Sequence, residues 1–207
     1  MSTYTEAVQV QSDFTITTPR LHISYFVPSN PIHTTFLAHL WNTPEYIASS
    51  GKTSITDSAS AQKFIENRVV PHYYFRRYGM MLVSLKPHVD AFLVESTPIG
   101  TVSLWQGAPP DCYSVPDIGF CILPEHQRQG YATEAAKALI EHAQLEWGVL
   151  GVFGFCFPGN EPSRKTLEKI GLEFRGVRKL RVFGNDENMV FTLPGMAEDL
   201  GVYGVEP

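Results

Sequence analysis

The sequence predicts a fold of the α/β (α+β) class, in which a mixed, mostly antiparallel central sheet is flanked by helices. Apolar residues make up 43% of the 207 residues and charged residues 18%, a balance that supplies a sizeable core. Short apolar runs typical of strands alternate with stretches whose apolar residues follow helical spacing. The predicted order is β, α, α, β, β, β, α, β, α, β, β, so strands and helices are interleaved.

The first third of the chain predicts one strand and two helices. Residues 14–26 read as a strand, because apolar residues alternate along them. Residues 30–49 read as one helix with Pro31 in its first turn. Residues 56–70 read as a second helix, which we expect Pro71 to end.

The middle of the chain predicts most of the sheet. Four apolar runs read as strands, at residues 79–85, 90–96, 98–106 and 116–124. A regular helix then extends to about Trp147, because its alanines and leucines recur on one helical face.

The last third predicts a further strand, a short helix and a strand pair. The strand covers residues 152–157, and the helix covers residues 160–171 with Gly171 as its C′ residue. The pair covers residues 172–184 and 187–193 and turns at the sequence GNDE.

We expect a single domain over residues 14–193, a flexible N-terminus over residues 1–13 and a C-terminal tail over residues 194–207. The net charge of −5 argues against a nucleic-acid partner. The three cysteines lack CxxC spacing and the seven histidines lack an HxxxH pair, so we predict no metal site. No stretch reaches the roughly 18 apolar residues of a membrane helix and no secretory signal is evident, so we expect a cytoplasmic protein without a membrane partner, either a monomer or a homodimer.

The segment HQRQGYATEAAKALIEHA, residues 126–143, places a glycine between a strand-like run and a helix. The first N–H groups of a helix have no internal partner and the helix dipole favours negative charge there, so a phosphate is a natural ligand. Gly130 lets the backbone approach an anion closely, Ala132 is small, and Arg128 adds a mobile cation. A turn that merely starts a helix would explain the glycine equally well.

Two motifs in this part of the chain resemble those of the GNAT-type N-acetyltransferases. Gln127, Gly130 and Ala132 match the cofactor motif Q/R-x-x-G-x-G/A. The later segment NEPSRKTLEKIGLEFRG is similar to the family's second signature, and its matching residues are Asn160, Ser163, Glu168, Lys169 and Gly171. The predicted order of elements also resembles the family's. The sequence TPRL, residues 18–21, resembles the start of the branch that includes the ribosomal-protein N-terminal acetyltransferases.

The resemblance implies a GNAT-like acyl-CoA N-acyltransferase fold and an enzyme that moves an acetyl group from acetyl-CoA to a primary amine, without a metal. The acceptor would be a peptide N-terminus or a small amine, and attack would occur in a ternary complex. Main-chain N–H groups of residues 128–133 would hold the CoA pyrophosphate, and a strand end would pair with the pantetheine arm and aim an N–H at the thioester oxygen. The expected cofactor-binding residues are Ile122, Leu123, Gln127, Arg128, Gln129, Gly130, Tyr131, Ala132, Thr133, Asn160 and Ser163.

The resemblance also suggests two catalytic residues. Asp117 begins the strand that ends near the expected thioester, where the family often carries an acid, so it is the candidate general base. Many members carry a tyrosine as general acid where this chain has Leu167, and Ser163 is the candidate proton donor in its place. The sequence slightly favours plainer roles, namely a solvated strand-end aspartate and a serine that only contacts the cofactor or the helix turn.

Two other functions compete with this interpretation. The missing tyrosine favours a catalytically inactive CoA-binding module that regulates or binds a partner. The sequence SSGKTS, residues 49–54, resembles the end of a phosphate-binding P-loop, but Tyr46 stands where that motif needs its first glycine.

Overall fold

The computed structural model describes residues 14–108 and 112–206, so the expected flexible N-terminus, residues 1–13, lies outside the described residues. The strands are β1 Thr15–Thr17, β2 Leu21–Tyr25, β3 Met80–Leu85, β4 Thr97–Trp105, β5 Asp117–Ile122, β6 Phe153–Cys156, β7 Glu173–Leu180 and β8 Asp186–Thr192. The α-helices are α1 Pro31–Trp41, α2 Pro44–Ser50, α3 Ser58–Phe64, α4 Val70–Arg76, α5 Tyr131–Trp147 and α6 Glu161–Lys169.

The strands form one eight-stranded sheet in the order β1-β2-β3-β4-β5-β6-β8-β7. The pairs β1–β2, β2–β3, β6–β8 and β7–β8 are antiparallel, whereas β5 and β6 are parallel. The predicted mixed, mostly antiparallel sheet with helices is therefore confirmed.

The chain divides into two compact units. The first contains the residues up to Thr101 together with Cys121–Gln129, and its core includes Leu21, Leu37, Ile65, Met81 and Ile99, all fully buried. The second contains Val102–Phe120 and the residues from Gly130 onward, and its core includes Ala135, Leu139, Phe153, Leu167 and Phe191. The expected domain limits at residues 14 and 193 stay a prediction.

Two predicted elements at the start of the chain are each two elements. The strand predicted at residues 14–26 is a hairpin of β1 and β2, because Thr18 N–H donates to the Leu21 carbonyl and Leu21 N–H donates to Thr18 Oγ1, both at 2.9 Å. The helix predicted at residues 30–49 divides into α1 and α2. Thr43 caps α2, and Pro44, its first residue, cannot continue α1 because it lacks an N–H.

The prediction that Pro71 ends a helix is wrong. The helix continues from α3 through a π-helical turn, Ile65–Val69, into α4, which holds Pro71 in its first turn. In the wider turn Val70 N–H bonds to the Ile65 carbonyl, five residues back. This shift of the hydrogen-bond ladder accommodates a ring that would otherwise crowd the carbonyl four residues earlier.

The strand predicted at residues 90–96 is absent, and Leu93–Glu95 instead forms a turn of 3₁₀-helix. Its apolar side chains do not share a buried face, since Phe92 is 74% exposed and Val94 is 91% exposed. The Phe92 N–H donates to Glu95 Oε2 at 2.7 Å, which closes the turn.

The segment after residue 193, to which the sequence assigns no element, is folded. It contains a 3₁₀-helix, Leu200–Tyr203, and buries Met196, Leu200 and Val205. An ion pair between Arg181 and Glu206, with 2.6 Å between Nη1 and Oε1, fastens its end to the chain beyond β7.

None of the helices within residues 14–108 and 112–206 has both the length and the apolar character that crossing a membrane requires.

Candidate cofactor and catalytic site

The main-chain N–H groups at the end of β5 differ in the side of the strand to which they point. The Leu123 N–H donates to the Ile99 carbonyl at 2.8 Å, so it is engaged within the sheet. Because N–H directions alternate along a strand, those of Phe120 and Ile122 point to the other side of β5. Leu123 is thus unsuited to the expected N–H contact with a thioester, whereas Ile122 has the required direction.

β5 and β6 pair only over a short distance. Asp117 lies opposite Phe153 and Ile118 opposite Gly154, and the pairing ends there although both strands continue. In the described chain, the β6-facing side of Phe120 therefore has no partner strand. Such an unpaired stretch can accept an extended, amide-rich chain as an added strand. Sequence reasoning missed Phe120, because only the register shows where pairing stops.

The loop between β5 and α5 is braced by its own side chains. Gln127 Nε2 donates to the Ile122 carbonyl at 3.0 Å, and Gln129 Nε2 donates to the Glu125 carbonyl at 3.3 Å. Gln127 and Gln129 thus use their side-chain amides within the protein, and the Gln127 N–H is engaged as well, with the Pro124 carbonyl at 3.2 Å.

The backbone turns sharply just before α5. Arg128 has a φ of 60° and Gly130 a φ of 83°, both in the left-handed region. This conformation is accessible to glycine but unusual for arginine. The Arg128 side chain is exposed, as expected for a mobile cation.

The 17-residue helix α5 begins without a side-chain cap. Its N-cap is Gly130, which has no side chain, and no side-chain capping hydrogen bond is made at this position within the described residues. Tyr131 is buried, which agrees with a packing role, whereas Ala132 and Thr133 are half-buried. The amides of such a turn carry the positive end of the helix dipole and suit an anion.

The start of α6 is capped. Asn160 Oδ1 accepts a hydrogen bond from the Ser163 N–H at 3.2 Å. Asn160 is half-buried, and within the described chain its Nδ2 has no hydrogen-bond partner. Asn160 can therefore cap the helix with one atom and donate to a ligand with the other.

Leu167, where the resemblance to the second signature leads us to expect a tyrosine, belongs to the core. It is 1% exposed, and a Cβ placed on Gly154 would lie 2.6 Å from Leu167 Cδ2. Leu167 thus packs closely over β6 and supplies no proton donor. Ser163, half-buried in the first turn of α6, lies one helical turn before Leu167, whereas the nearer Thr166 hydroxyl donates to the Pro162 carbonyl at 2.9 Å.

Asp117 lies on the face of the sheet opposite α6. Its neighbour Ile118 is paired with Gly154, against which Leu167 packs, and successive side chains of a strand alternate between faces. Its pairing partner Phe153 contacts the rings of Tyr113 and Tyr203, with centroid distances of 5.8 and 5.7 Å. Asp117 therefore shares an aromatic face with Tyr113 and Tyr203, which the sequence did not associate with it.

Desolvation raises the pKa of Asp117 from 3.8 to about 7, and a main-chain hydrogen bond offsets only part of this rise. The residue as a whole is partly exposed, whereas its carboxyl group is desolvated by burial. A carboxyl with a pKa near neutrality can accept a proton at physiological pH and release it again, as a general base requires.

The structure also bears on the P-loop-like segment and on metal binding. The P-loop-like residues 49–54 begin in the last turn of helix α2 and do not follow a strand, unlike a P-loop. Within residues 14–108 and 112–206, no cluster of three or more His, Cys, Asp or Glu side chains could hold a metal ion.

Comparisons with known proteins identify the family. A family model described as "Acetyltransferase (GNAT) domain" matches residues 5–173. The uncharacterized N-acetyltransferase YnaD of Bacillus subtilis is 36% identical over 63 residues, which cover 30% of this chain and 37% of that protein. The chain spans less than half the length of the curated relatives it matches, the share being 37% for YnaD and 45% for YoaA of the same organism.

Solved structures share the fold. The ribosomal-protein-S5-alanine acetyltransferase from Vibrio fischeri has a TM-score of 0.68 at 17% identity, over 87% of this chain and 96% of that chain. The microcin C7 self-immunity acetyltransferase MccE, crystallised with acetyl-CoA and AMP, has a TM-score of 0.64 at 16% identity, over 84% of this chain and 92% of that chain.

Proposed function

The chain belongs to the GNAT acetyltransferase family, and we propose that it transfers an acetyl group from acetyl-CoA to a primary amine. The observation that carries the proposal is the uncapped start of α5, reached through two left-handed residues, Arg128 and Gly130. The main-chain N–H groups of residues 128–133 would hold the CoA pyrophosphate, with Arg128 as an additional cation. No metal is part of the proposal.

The pantetheine arm would pair with β5 where β6 has diverged. Its amides would bond to the β6-facing groups of Phe120 and Ile122, and Asn160 Nδ2 would donate to the same arm. The Ile122 N–H would stabilise the negative charge that develops on the thioester oxygen.

The chemistry would be direct attack of the amine on the thioester carbonyl. A C–N bond forms, the C–S bond breaks, and the amine nitrogen loses a proton to Asp117, directly or through water. The departing CoA thiolate takes up a proton, for which the Ser163 hydroxyl is the candidate donor.

The acceptor would be a peptide N-terminus or a small amine. At pH 7 roughly 10–20% of an α-amine is neutral, against less than about 0.1% of a lysine amine, so an α-amine needs less help from a base. The fold neighbour named for a ribosomal-protein alanine supports the first choice, and the net charge of −5 agrees with a cationic acceptor.

A second function is favoured by Leu167. Because the usual tyrosine is replaced by a buried leucine, the chain would on this alternative bind CoA without turning it over and serve as a regulatory or interaction module.

Two measurements on the wild-type protein separate these functions. Calorimetry with CoA tests binding, and release of free thiol from acetyl-CoA tests turnover with a panel of peptides with free N-termini, lysine side chains and small diamines. We expect micromolar binding and turnover that is fastest with one class of α-amine or small amine. Binding without turnover across the panel would support the inactive module, and absence of CoA binding would overturn both.

A further inference from the structure

Arg20 connects the first hairpin to the loop before α5. It lies in the turn between β1 and β2, and its Nη1 donates to the Gln129 carbonyl at 2.9 Å. The two residues are 109 positions apart in the chain, and both belong to the first compact unit.

The backbone on either side of Arg20 is itself fixed. The Thr18 N–H bonds to the Leu21 carbonyl at 2.9 Å, which closes the turn. The Lys86 N–H, just past the end of β3, donates to the Arg20 carbonyl at 2.9 Å. The guanidinium therefore extends from a turn that the sheet holds on two sides, which gives it a defined position from which to restrain another segment.

The contact determines the direction of one N–H group. The Gln129 carbonyl and the Gly130 N–H belong to the same peptide, and in a trans peptide these groups point in opposite directions. A guanidinium that binds the carbonyl therefore turns the Gly130 N–H away from itself. Gln129 lies between two left-handed residues, Arg128 and Gly130, where a loop has several accessible conformations unless a contact selects one.

We propose that Arg20 is a positioning residue that orients the Gln129–Gly130 peptide so that the Gly130 N–H faces the CoA pyrophosphate. The inference rests on the proposed function of the loop and adds a residue outside the cofactor motif to it. It also gives a physical role to the arginine of the TPRL sequence. Arg20 acts on the ligand through the loop.

The test compares Arg20→Met with Lys86→Met. The methionine at position 20 keeps much of the side chain's apolar bulk but cannot donate. The Lys86 variant removes a positive charge whose Nζ lies 3.2 Å from the Thr18 carbonyl of the same turn, without touching the loop. Binding of CoA is measured by calorimetry at 0.05 and 0.5 M NaCl, and turnover is measured with acetyl-CoA and with S-acetylpantetheine, which has no pyrophosphate.

We expect Arg20→Met to weaken CoA binding about tenfold at both salt concentrations, the effect of losing one charge-assisted hydrogen bond of modest strength. Lys86→Met should bind CoA as the wild type does. Turnover of S-acetylpantetheine should be unchanged in both variants, because the loop has no phosphate to hold.

Three results would overturn the inference. A wild-type affinity for CoA in Arg20→Met would refute the inference directly. A defect that disappears at 0.5 M NaCl would assign Arg20 a through-space charge effect instead, since ions at that concentration screen exposed charges. An equal loss with both thioesters would indicate general destabilisation. A wild-type protein that binds no CoA would defeat the proposed function itself, and the role of Arg20 with it.

Discussion

The starts of α5 and α6 differ in what meets their first-turn amides. At α6 the Asn160 side chain accepts the Ser163 N–H at 3.2 Å. At α5 the N-cap is Gly130, and no side chain in the described part of the chain takes the corresponding place. Three other helices start as α6 does, with side-chain caps from Asn30, Thr43 and Asp57.

A side-chain cap contributes about 1 kcal/mol to the stability of a helix. α5 lacks that contribution. It is nevertheless a 17-residue helix, and Ala135, Ala136 and Leu139 on its inner face are fully buried. The α6 start is thus completed by the protein, whereas the α5 start would, on the proposed function, be completed by the ligand. Binding should consequently depend on main-chain conformation at α5 and on one side-chain atom at α6.

The largest expected effect comes from placing a negative charge at the start of α5. In Gly130→Glu the carboxylate would occupy the place of the pyrophosphate, and repulsion of several kcal/mol should weaken CoA binding by at least about 1,000-fold. Calorimetry with CoA measures the loss.

Gly148→Glu is the matched control. Gly148 is at the other end of the same helix, also left-handed with a φ of 67°, and nothing lies within 4 Å of a Cβ placed there. Both variants should lose similar stability, about 1 kcal/mol for a left-handed side chain. Only Gly130→Glu should lose CoA binding, and equal affinities in the two variants would refute the α5 site.

The second effect separates holding the cofactor from the chemistry. Asp117→Asn touches neither helix start, so CoA binding should be unchanged while kcat falls by about 100-fold or more, the usual contribution of a general base. In the wild type, kcat/KM referred to the concentration of neutral amine should rise with pH up to about 7, because the carboxyl must be deprotonated to accept a proton. The variant should lose that dependence.

Stability supplies an independent check on Asp117. Because its folded-state pKa is raised from 3.8 to about 7, the native protein binds the proton more tightly than the unfolded chain does. The resulting stabilisation is complete below pH 3.8 and is lost as the pH rises to about 7. In urea unfolding, the free energy of unfolding of Asp117→Asn minus that of the wild type should therefore be higher at pH 8 than at pH 5. Asp186→Asn, at the exposed first residue of β8, should change neither property.

The α5 start could be predicted from sequence because its signals are local. A glycine two positions before a small residue and a stripe of alanines predict where the helix begins and that its start is open. Pro71, by contrast, gives a strong local signal that the structure overrides. A π-helical turn, which no local sequence pattern predicts, lets the helix continue past Pro71.

The parts of the site that sequence reasoning missed depend on distant contacts. The sequence predicts Gln127 as a motif residue. It does not predict that the Gln127 amide donates to the Ile122 carbonyl, because that contact depends on how the loop folds back on β5. Arg20 meets Gln129 across 109 positions. The raised pKa of Asp117 results from burial, which no residue beside it in the sequence encodes. Residue types and helix starts are therefore predictable here, whereas hydrogen-bond partners and desolvation are not.

The smallest expected effect tests the two atoms of Asn160 separately. Asn160→Asp keeps the oxygen that accepts the Ser163 N–H but loses the Nδ2 donor, whereas Asn160→Ala loses both. Stability should fall by about 1 kcal/mol in the alanine variant and remain unchanged in the aspartate variant, because only the latter still caps α6. If Nδ2 donates to the pantetheine arm, both variants should weaken CoA binding by about fivefold, the value of one hydrogen bond. Asp57→Ala, which removes the cap of α3, should lower stability without changing the affinity for CoA. A wild-type affinity for CoA in Asn160→Asp would show that Asn160 only caps α6. The start of α6 would then have a structural role alone, and only the start of α5 would bind the ligand.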